Sequence, residues 1–491
     1  MTYSEDKSDR SKGKSLLVFV ACLAVLLGAE FTASLVQCDF GRVNVENVRY
    51  RNFNGIPIRA KLFRPSGASP LTPLPGVVYI HGYQNNRETG DAYCLELARR
   101  GFVVLNIDAI GRGNSGIPND PEAPDFDPTY GGEASLEYLR SLPYVRKEAL
   151  GMMGYSLGAE MAYRVALGNP HVQALVITGF AYTEEASPTT PRNMLMIMGK
   201  WDEFRQRMTG TRDLEKEWMN TQATRKAFGV DRPALQKTYG DFAEGTARRV
   251  FIPRTIHIQE SHSGVAIAET LRWMREALGP PARYWKDESK QTWPLKEWAT
   301  LVAMLACFAS LLPLGDLLLG TRAFRSLRGA PTASTPVGTG TFFKFFAING
   351  LLSWLYLPLI FVLFGIHVYL VHIDGLFPLM MVNGIIWWFF WINLIGFFLV
   401  KRWYRKKGVP MGLTTADLGT SFSPDRFDLD AGGLARTAFL ALILFGFAYL
   451  VEHILEWIFI VDFRFIFPFA SDLTPYRALV ALRYLPFVVT G

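Results

Sequence analysis

Three stretches of the chain carry side chains able to build an acyl-transfer centre. Gly154-Tyr155-Ser156-Leu157-Gly158 sets a serine between glycines two positions to either side. Here the pentapeptide joins an apolar, strand-like run (residues 150–153) to a helix expected from about Ala159. A turn from strand to helix at that spacing admits only small flanking residues and presents the hydroxyl above the sheet. The first amides of the helix point at the same spot, where an oxyanion would form. Gly199-Lys200-Trp201-Asp202-Glu203 follows the apolar run 194–198, which puts Asp202 at a strand end. Glu260-Ser261-His262-Ser263-Gly264 follows the run 255–258 and precedes an amphipathic helix, so His262 is expected in a loop that reaches over the serine. Nucleophile, acid and base are recognised by such roles rather than by sequence position.

Each role has a competitor. The plain alternative for Ser156 is a buried helix-capping serine, and the strand–turn–helix setting argues against it. For the acid, Glu203 is adjacent to Asp202 but points away, and Glu184 or Glu185 after the preceding strand is the other location. For the base, His257 falls inside the expected strand 255–258, so His262 is preferred. His81-Gly82-Tyr83 follows the strand ending at Ile80. His81 is read as part of that turn, and the backbone amides of Tyr83 and Leu157 are assigned to the oxyanion. Asp108 and Arg112 are read as closing the turn after their strand.

The elements that must position these groups alternate. Extended segments are expected at Val43–Arg51 and 57–63, then at 77–80, 103–107, 150–153, 174–177, 194–198 and 255–258. Helices are expected at 91–100, 132–141, 159–167 and 265–278. Strands alternating with helices imply right-handed crossovers and a mostly parallel sheet covered on both faces. Ligands of such sheets bind at the carboxyl ends of the strands, which is where the three stretches fall. The interval from Asp202 to His262 is long for one helix and one strand. Its extra segment, 205–249, is read as a cap over the site, a pad on a bilayer or a surface insertion.

Residues 43–280 resemble an α/β-hydrolase, most similar to the dienelactone-hydrolase-like branch of serine esterases and peptidases. The residues that carry the likeness are His81-Gly82, the turn from Asp108 to Gly116, Gly154 to Gly158, Asp202 and His262. The resemblance implies an eight-stranded, mostly parallel sheet, a Ser-His-Asp triad and acyl-enzyme chemistry without a cofactor or metal. It does not fix the substrate, because the fold hosts many chemistries.

The rest of the chain has a different composition. Of 491 residues 49% are hydrophobic and 19% charged, against about 25% charged in ordinary soluble domains. The apolar excess lies outside residues 40–290, in runs at 15–36, 297–319, 345–366, 376–400 and 437–461. Each is near the ~20 residues needed to cross a bilayer. The first reads as an uncleaved anchor in preference to a signal peptide, since Glu30 and Phe31 sit where small residues belong. The division expected is a cytoplasmic tail (1–14), the anchor (15–36), the hydrolase-like domain (40–290) and four further spans (297–461). Residues 462–491 form an interfacial helix or part of a sixth span.

The net charge of +7 is placed beside these spans rather than in a stripe. Lys7, Arg10, Lys12 and Lys14 precede the first, Arg322, Arg325 and Arg328 follow the second, and Lys401 to Lys407 follow the fourth. That pattern puts the amino terminus in the cytoplasm and the hydrolase-like domain on the periplasmic or extracellular side of the plasma membrane. It gives no footprint for nucleic acid. The expected partners are a lipid bilayer and an acyl ester or amide substrate. Glu452, His453 and Glu456 lie within the fifth run, where ionisable residues are functional candidates. Pairing at the outer interface is expected for them before a metal or proton site with His367, His372 and Asp374. Cys22 and Cys307 sit in apolar runs, which leaves Cys38 and Cys94 as the pair free to bond.

Overall fold

Strand β3, Leu74–Ile80, is buried along its whole length. Val78 and Ile80 pack into one apolar cluster while Val77 and Tyr79 pack into another. A strand buried on both faces belongs to the middle of a parallel sheet, with helices above and below. The computed structural model describes residues 2–328, 338–370, 375–414, 431–463 and 472–490.

Eight strands form one sheet in the order β1-β2-β4-β3-β5-β6-β7-β8. They are β1 Val43–Arg51, β2 Pro57–Pro65, β3, β4 Val103–Ile107, β5 Val145–Tyr155, β6 Val172–Thr178, β7 Met194–Ile197 and β8 Arg248–Phe251. Strand β2 runs antiparallel to both β1 and β4, and the remaining pairs are parallel. The helices of this region are α1 Thr2–Gln37, α2 Asp91–Ala98, α3 Gly132–Ser141, α4 Leu157–Gly168, α5 Arg205–Thr209, α6 Gln222–Phe228 and α7 Gly264–Leu278. Side chains of α3 and α4 fill the first apolar cluster, and those of α2 and α7 fill the second. The eight-stranded, mostly parallel arrangement expected from the sequence is therefore present.

One strand departs from expectation. Residues 255–258 are not extended; the last strand lies earlier, at β8, and a 3-10 turn spans His257–His262. Two arginines open β8, which hides it from a hydrophobic pattern. Arg248 points inward and is buried, its guanidinium donating to the carbonyls of Ser187, Ala227 and Ala247. The segment between β7 and β8 is a packed layer: Trp218 and Phe228 are buried against Tyr182.

The longer helices are α8 Trp293–Leu319, α9 Thr339–Trp354, α10 Tyr356–Tyr369, α11 Met380–Trp403, α12 Ala431–Phe459 and α13 Pro475–Thr490. Among the described residues, five stretches are long and apolar enough to cross a membrane by length and composition: Lys12–Gln37, Trp293–Leu319, Thr339–Val362, Val382–Met411 and Ala431–Phe459. The chain divides into two compact units, Met1–Leu314 with Leu444–Ser471, and Gly315–Ile443 with Asp472–Gly491. In the second, the Tyr484 hydroxyl of α13 donates to Asn383 Oδ1 of α11 at 2.6 Å.

In the first unit, α1 and α8 meet the end of α12. Leu26, Ala303, Ala306, Cys307, Leu455 and Phe463 form an apolar cluster, and Gln37 donates to the Ile460 carbonyl at 3.0 Å. Charged groups join these helices to the sheet domain. Glu456 Oε1 accepts from Arg59 at 2.6 Å and from Arg87 at 2.8 Å, all three side chains being nearly sealed from solvent. Asp91 of α2 accepts from Lys61 of β2 at 2.9 Å and from Lys296 of α8 at 2.8 Å. Glu456 thus pairs with the sheet domain rather than with a neighbouring span, and Glu452 meets His453 Nδ1 at 2.7 Å. The expected approach of His367, His372 and Asp374 involves residues 371–374 and the His367 side chain, which lie outside the described part. All four cysteines are free, Cys38 and Cys94 included.

Candidate active site

Strand β5 ends at Tyr155 and α4 begins at Leu157, leaving Ser156 alone to make the turn. Its backbone sits at φ 53°, ψ −120°, a left-handed conformation that costs a residue with a Cβ roughly 1–3 kcal/mol. The flanking glycines follow from close approach. A Cβ on Gly154 would strike the Gly158 carbonyl, and one on Gly158 would strike the carbonyl oxygens of Ile80 and His81. The start of α4 is thereby pressed against the end of β3. Leu157 N–H is the first amide of its helix, one of those a helix leaves without an internal acceptor.

His257 stands opposite. Its Nδ1–H donates to Asp202 Oδ2 at 2.8 Å, and with the proton on Nδ1 its Nε2 accepts from Ser156 Oγ at 3.0 Å. The two bonds fix both the tautomer and the direction of the ring. Phe204 packs edge-on to the imidazole with centroids 4.9 Å apart, and Tyr155 lies on another side at 5.1 Å. The Tyr155 hydroxyl donates to the His257 carbonyl at 2.8 Å. Asp202 is buried in the turn after β7 and its Oδ1 accepts the Phe204 N–H at 2.7 Å. Glu203, the neighbouring acid, accepts the His257 N–H at 3.1 Å and so supports the backbone rather than the ring.

The expectation for the base is corrected here. His262 is not at the serine: its Nδ1 meets the Ser261 hydroxyl at 2.9 Å, and its ring stands edge-on to Trp293 with centroids 5.7 Å apart. The reason is the position of the last strand. Because β8 ends at Phe251, residues 252–256 already form the loop, and the head of the 3-10 turn, not its end, reaches Ser156. Burial holds the His262 imidazole below its ordinary value. Ser156 and Asp202 lie where the sequence puts them.

The remaining candidates separate by place. His81 is fully buried; its Nδ1–H donates to the Gly82 carbonyl at 2.8 Å and its Nε2 accepts the Ala109 N–H at 3.2 Å. Burial pushes this imidazole down to about 4, so it is a neutral brace for the turn that carries Tyr83. Asp108 accepts the N–H groups of Arg87 and Asn114, each at 2.9 Å, closing its loop. Arg112 lies over the rings of Tyr83 and Tyr130, 5.5 Å from each centroid. Glu184 and Glu185 line a separate cavity of about 490 Å³ with Glu160, Tyr163, Phe180 and Lys226. None of Ser156, Asp202 and His257 lines that cavity. Tyr83, Trp201, Phe204 and Ile258 expose large apolar surface on the loops that hold the triad-like groups.

Among the described residues, one trio of donor side chains lies close enough to share a cation: Asp202, His257 and Glu260. Asp202 and His257 are already engaged with each other through the Nδ1 proton.

Residues 73–247 match the family model described as serine aminopeptidase, S33. The match includes Ser156 and Asp202 and ends before His257. A serine hydrolase-like protein of Dictyostelium discoideum is 29% identical over 134 residues, covering 27% of this chain and 34% of that one. An uncharacterized protein of Pseudomonas aeruginosa is 25% identical over 239 residues, covering 46% of this chain and 59% of that one. The chain thus spans between about a third and three fifths of the length of these curated relatives. The crystal structure of the Pseudomonas protein aligns with TM-score 0.36 at 17% identity, over 48% of this chain and 94% of that one. A bacterial heroin esterase aligns with TM-score 0.35 at 15% identity, over 48% and 85%. With residues 73–247 matched to an α/β-hydrolase family and eight strands in a mostly parallel sheet, the sheet-bearing half of the chain has the α/β-hydrolase fold.

Proposed function

We propose that the protein is a membrane-anchored serine hydrolase that cleaves an acyl ester on the outer face of the plasma membrane. The observation that carries the reading is the continuous line of hydrogen bonds from Ser156 Oγ through His257 to Asp202. Ser156 attacks the acyl carbonyl while His257 Nε2 takes its proton. Asp202 holds the ring in the tautomer that leaves Nε2 bare and stabilises the imidazolium that forms. The amides of Leu157 and Tyr83 face the oxyanion of the tetrahedral intermediate, and loss of one such donor costs ~100–1000-fold in rate. His257 then protonates the leaving group, and water repeats the cycle on the acyl-enzyme. The exposed side chains of Tyr83, Trp201, Phe204 and Ile258 favour an apolar acyl group. The match to the serine aminopeptidase model makes aminoacyl amides the second substrate class. Anchoring rests on the apolar helices, and the outer location on the placement of Lys and Arg beside them.

Membranes holding the full chain should react with a fluorophosphonate probe at one site. Ser156→Ala should abolish both labelling and ester turnover at unchanged protein level. Undiminished labelling of that variant would remove the basis of the reading.

A further inference from the structure

Behind the Asp202–His257 pair lies a second carboxyl group that the steps above do not use. Glu260 belongs to the same 3-10 turn as His257 and has no solvent exposure. Its Oε1 accepts the Gly199 N–H, while its Oε2 is buried without a hydrogen-bond partner. A Cβ on Gly179 would meet Glu260 Oε2 and the His257 ring together, so this carboxyl packs beside the imidazole. Asp202, His257 and Glu260 each place a polar atom within 4.8 Å of the others. Facing Glu260 are Asp202 and Glu203 from the turn after β7, and Tyr93 of α2, whose hydroxyl donates to the Glu260 carbonyl at 2.9 Å. Tyr155 lies at the end of β5.

Two ionised carboxylates in so dry a space would repel one another, and an unpaired buried charge is strongly disfavoured. Burial and the neighbouring Asp202 charge hold the Glu260 carboxyl well above the usual carboxylate range. As a carboxylic acid it owns one O–H, and a buried O–H needs an acceptor. Asp202 is the acceptor within reach.

We propose that Glu260 is a positioning residue of the triad, a neutral carboxylic acid that donates its proton to Asp202, so that the two groups share a single negative charge behind His257. The inference rests on the reading of Ser156, His257 and Asp202 as a triad. A hydrogen bond given to Asp202 spreads its charge and weakens its pull on the imidazolium. The acid limb of the rate profile therefore lies lower than it would with a lone Asp202, and the site works further into the acid range.

The test is the rate of fluorophosphonate labelling at Ser156 against pH, on the full chain in membranes, for wild type, Glu260→Gln and Glu260→Leu. The Gln amide can still donate to Asp202, so its acid limb should stay within about 0.2 pH unit of wild type and its rate within about threefold. Leu removes the donor, and its acid limb should rise by about half a pH unit or more. An ionised Glu260 predicts the opposite sign: either neutral replacement would then lower the acid limb. A downward shift in Glu260→Gln overturns the proposal, even where Glu260→Leu fails to accumulate. Identical profiles for all three proteins overturn it as well, and reduce Glu260 to packing. If wild type is not labelled at Ser156, the triad reading fails instead, a result visible before any variant is compared.

Discussion

Replacing His257 by alanine removes the acceptor 3.0 Å from Ser156 Oγ and leaves Asp202 without its partner at 2.8 Å. Loss of a triad base lowers turnover by about four to six powers of ten. At 1.36 kcal/mol per tenfold this is about 5–8 kcal/mol of transition-state stabilisation. The residue named by the sequence pattern should behave quite differently. His262→Ala removes one side-chain hydrogen bond, to Ser261, of about 1 kcal/mol. It also removes one edge-on contact with Trp293, of about 0.5–1.5 kcal/mol. The expected outcome is about 2 kcal/mol less stability, with the labelling rate of folded protein within about threefold of wild type. Second-order rates of fluorophosphonate labelling, measured beside thermal retention of labelling, separate the two effects. If His262→Ala abolishes reaction in folded protein and His257→Ala retains it, the geometric assignment is wrong.

Further expectations follow from other contacts. Glu456→Ala removes the carboxylate that accepts from the buried Arg59 and Arg87 guanidiniums; breaking a buried pair costs about 3–5 kcal/mol. The temperature at which detergent-solubilised protein loses labelling should therefore fall sharply, and an unchanged temperature would contradict the pairing. The folded state holds His81 neutral down to about 4, against an ordinary 6.5. As pH falls through this window the unfolded chain takes up the proton first. Stability is thus full above the window and drops by about 3 kcal/mol across it; His81→Gln should flatten that slope in urea midpoints compared at neutral and acid pH. For topology, single cysteines at Gln84 or Asp213, in a background without the native four, should react with an impermeant maleimide in intact cells or spheroplasts. One at Ser334 should react only after lysis, and the reverse pattern would move the site to the cytoplasm.

The positions of Ser156 and Asp202 were legible because local geometry dictates residue type. Gly154 and Gly158 are required by carbonyls that would meet any Cβ, and Asp202 lies in the turn that follows the apolar strand β7. The place of His257 was not legible, because Arg248 disguises the strand that sets its position. The carbonyls that accept its guanidinium come from Ser187 and Ala227 as well as the adjacent Ala247, and two of these are distant in sequence. Pro253 carried a usable signal. It cannot donate to a ladder and tends to lie at strand margins, which weakens a strand beginning at Thr255 and favours a loop holding His257. Glu452 and Glu456 were legible as ionisable groups in an apolar helix, but Arg59 and Arg87 gave no sign in sequence of being the partners of Glu456.

The bond between Arg87 and Glu456 also sets a timetable. The two residues are 369 apart in the chain, and at ~5–20 residues per second the ribosome needs about 20–70 s to travel between them. From residue 257 onward every strand of the sheet and Ser156, Asp202 and His257 have been synthesised, yet Arg59 and Arg87 still lack the Glu456 carboxylate. A chain released between residues 257 and 456 would carry the whole hydrogen-bonded line from Ser156 to Asp202 and still miss the carboxylate that offsets the charge of those two guanidiniums. Completion of the buried ion pairs of the sheet domain in this way waits for α12 to arrive.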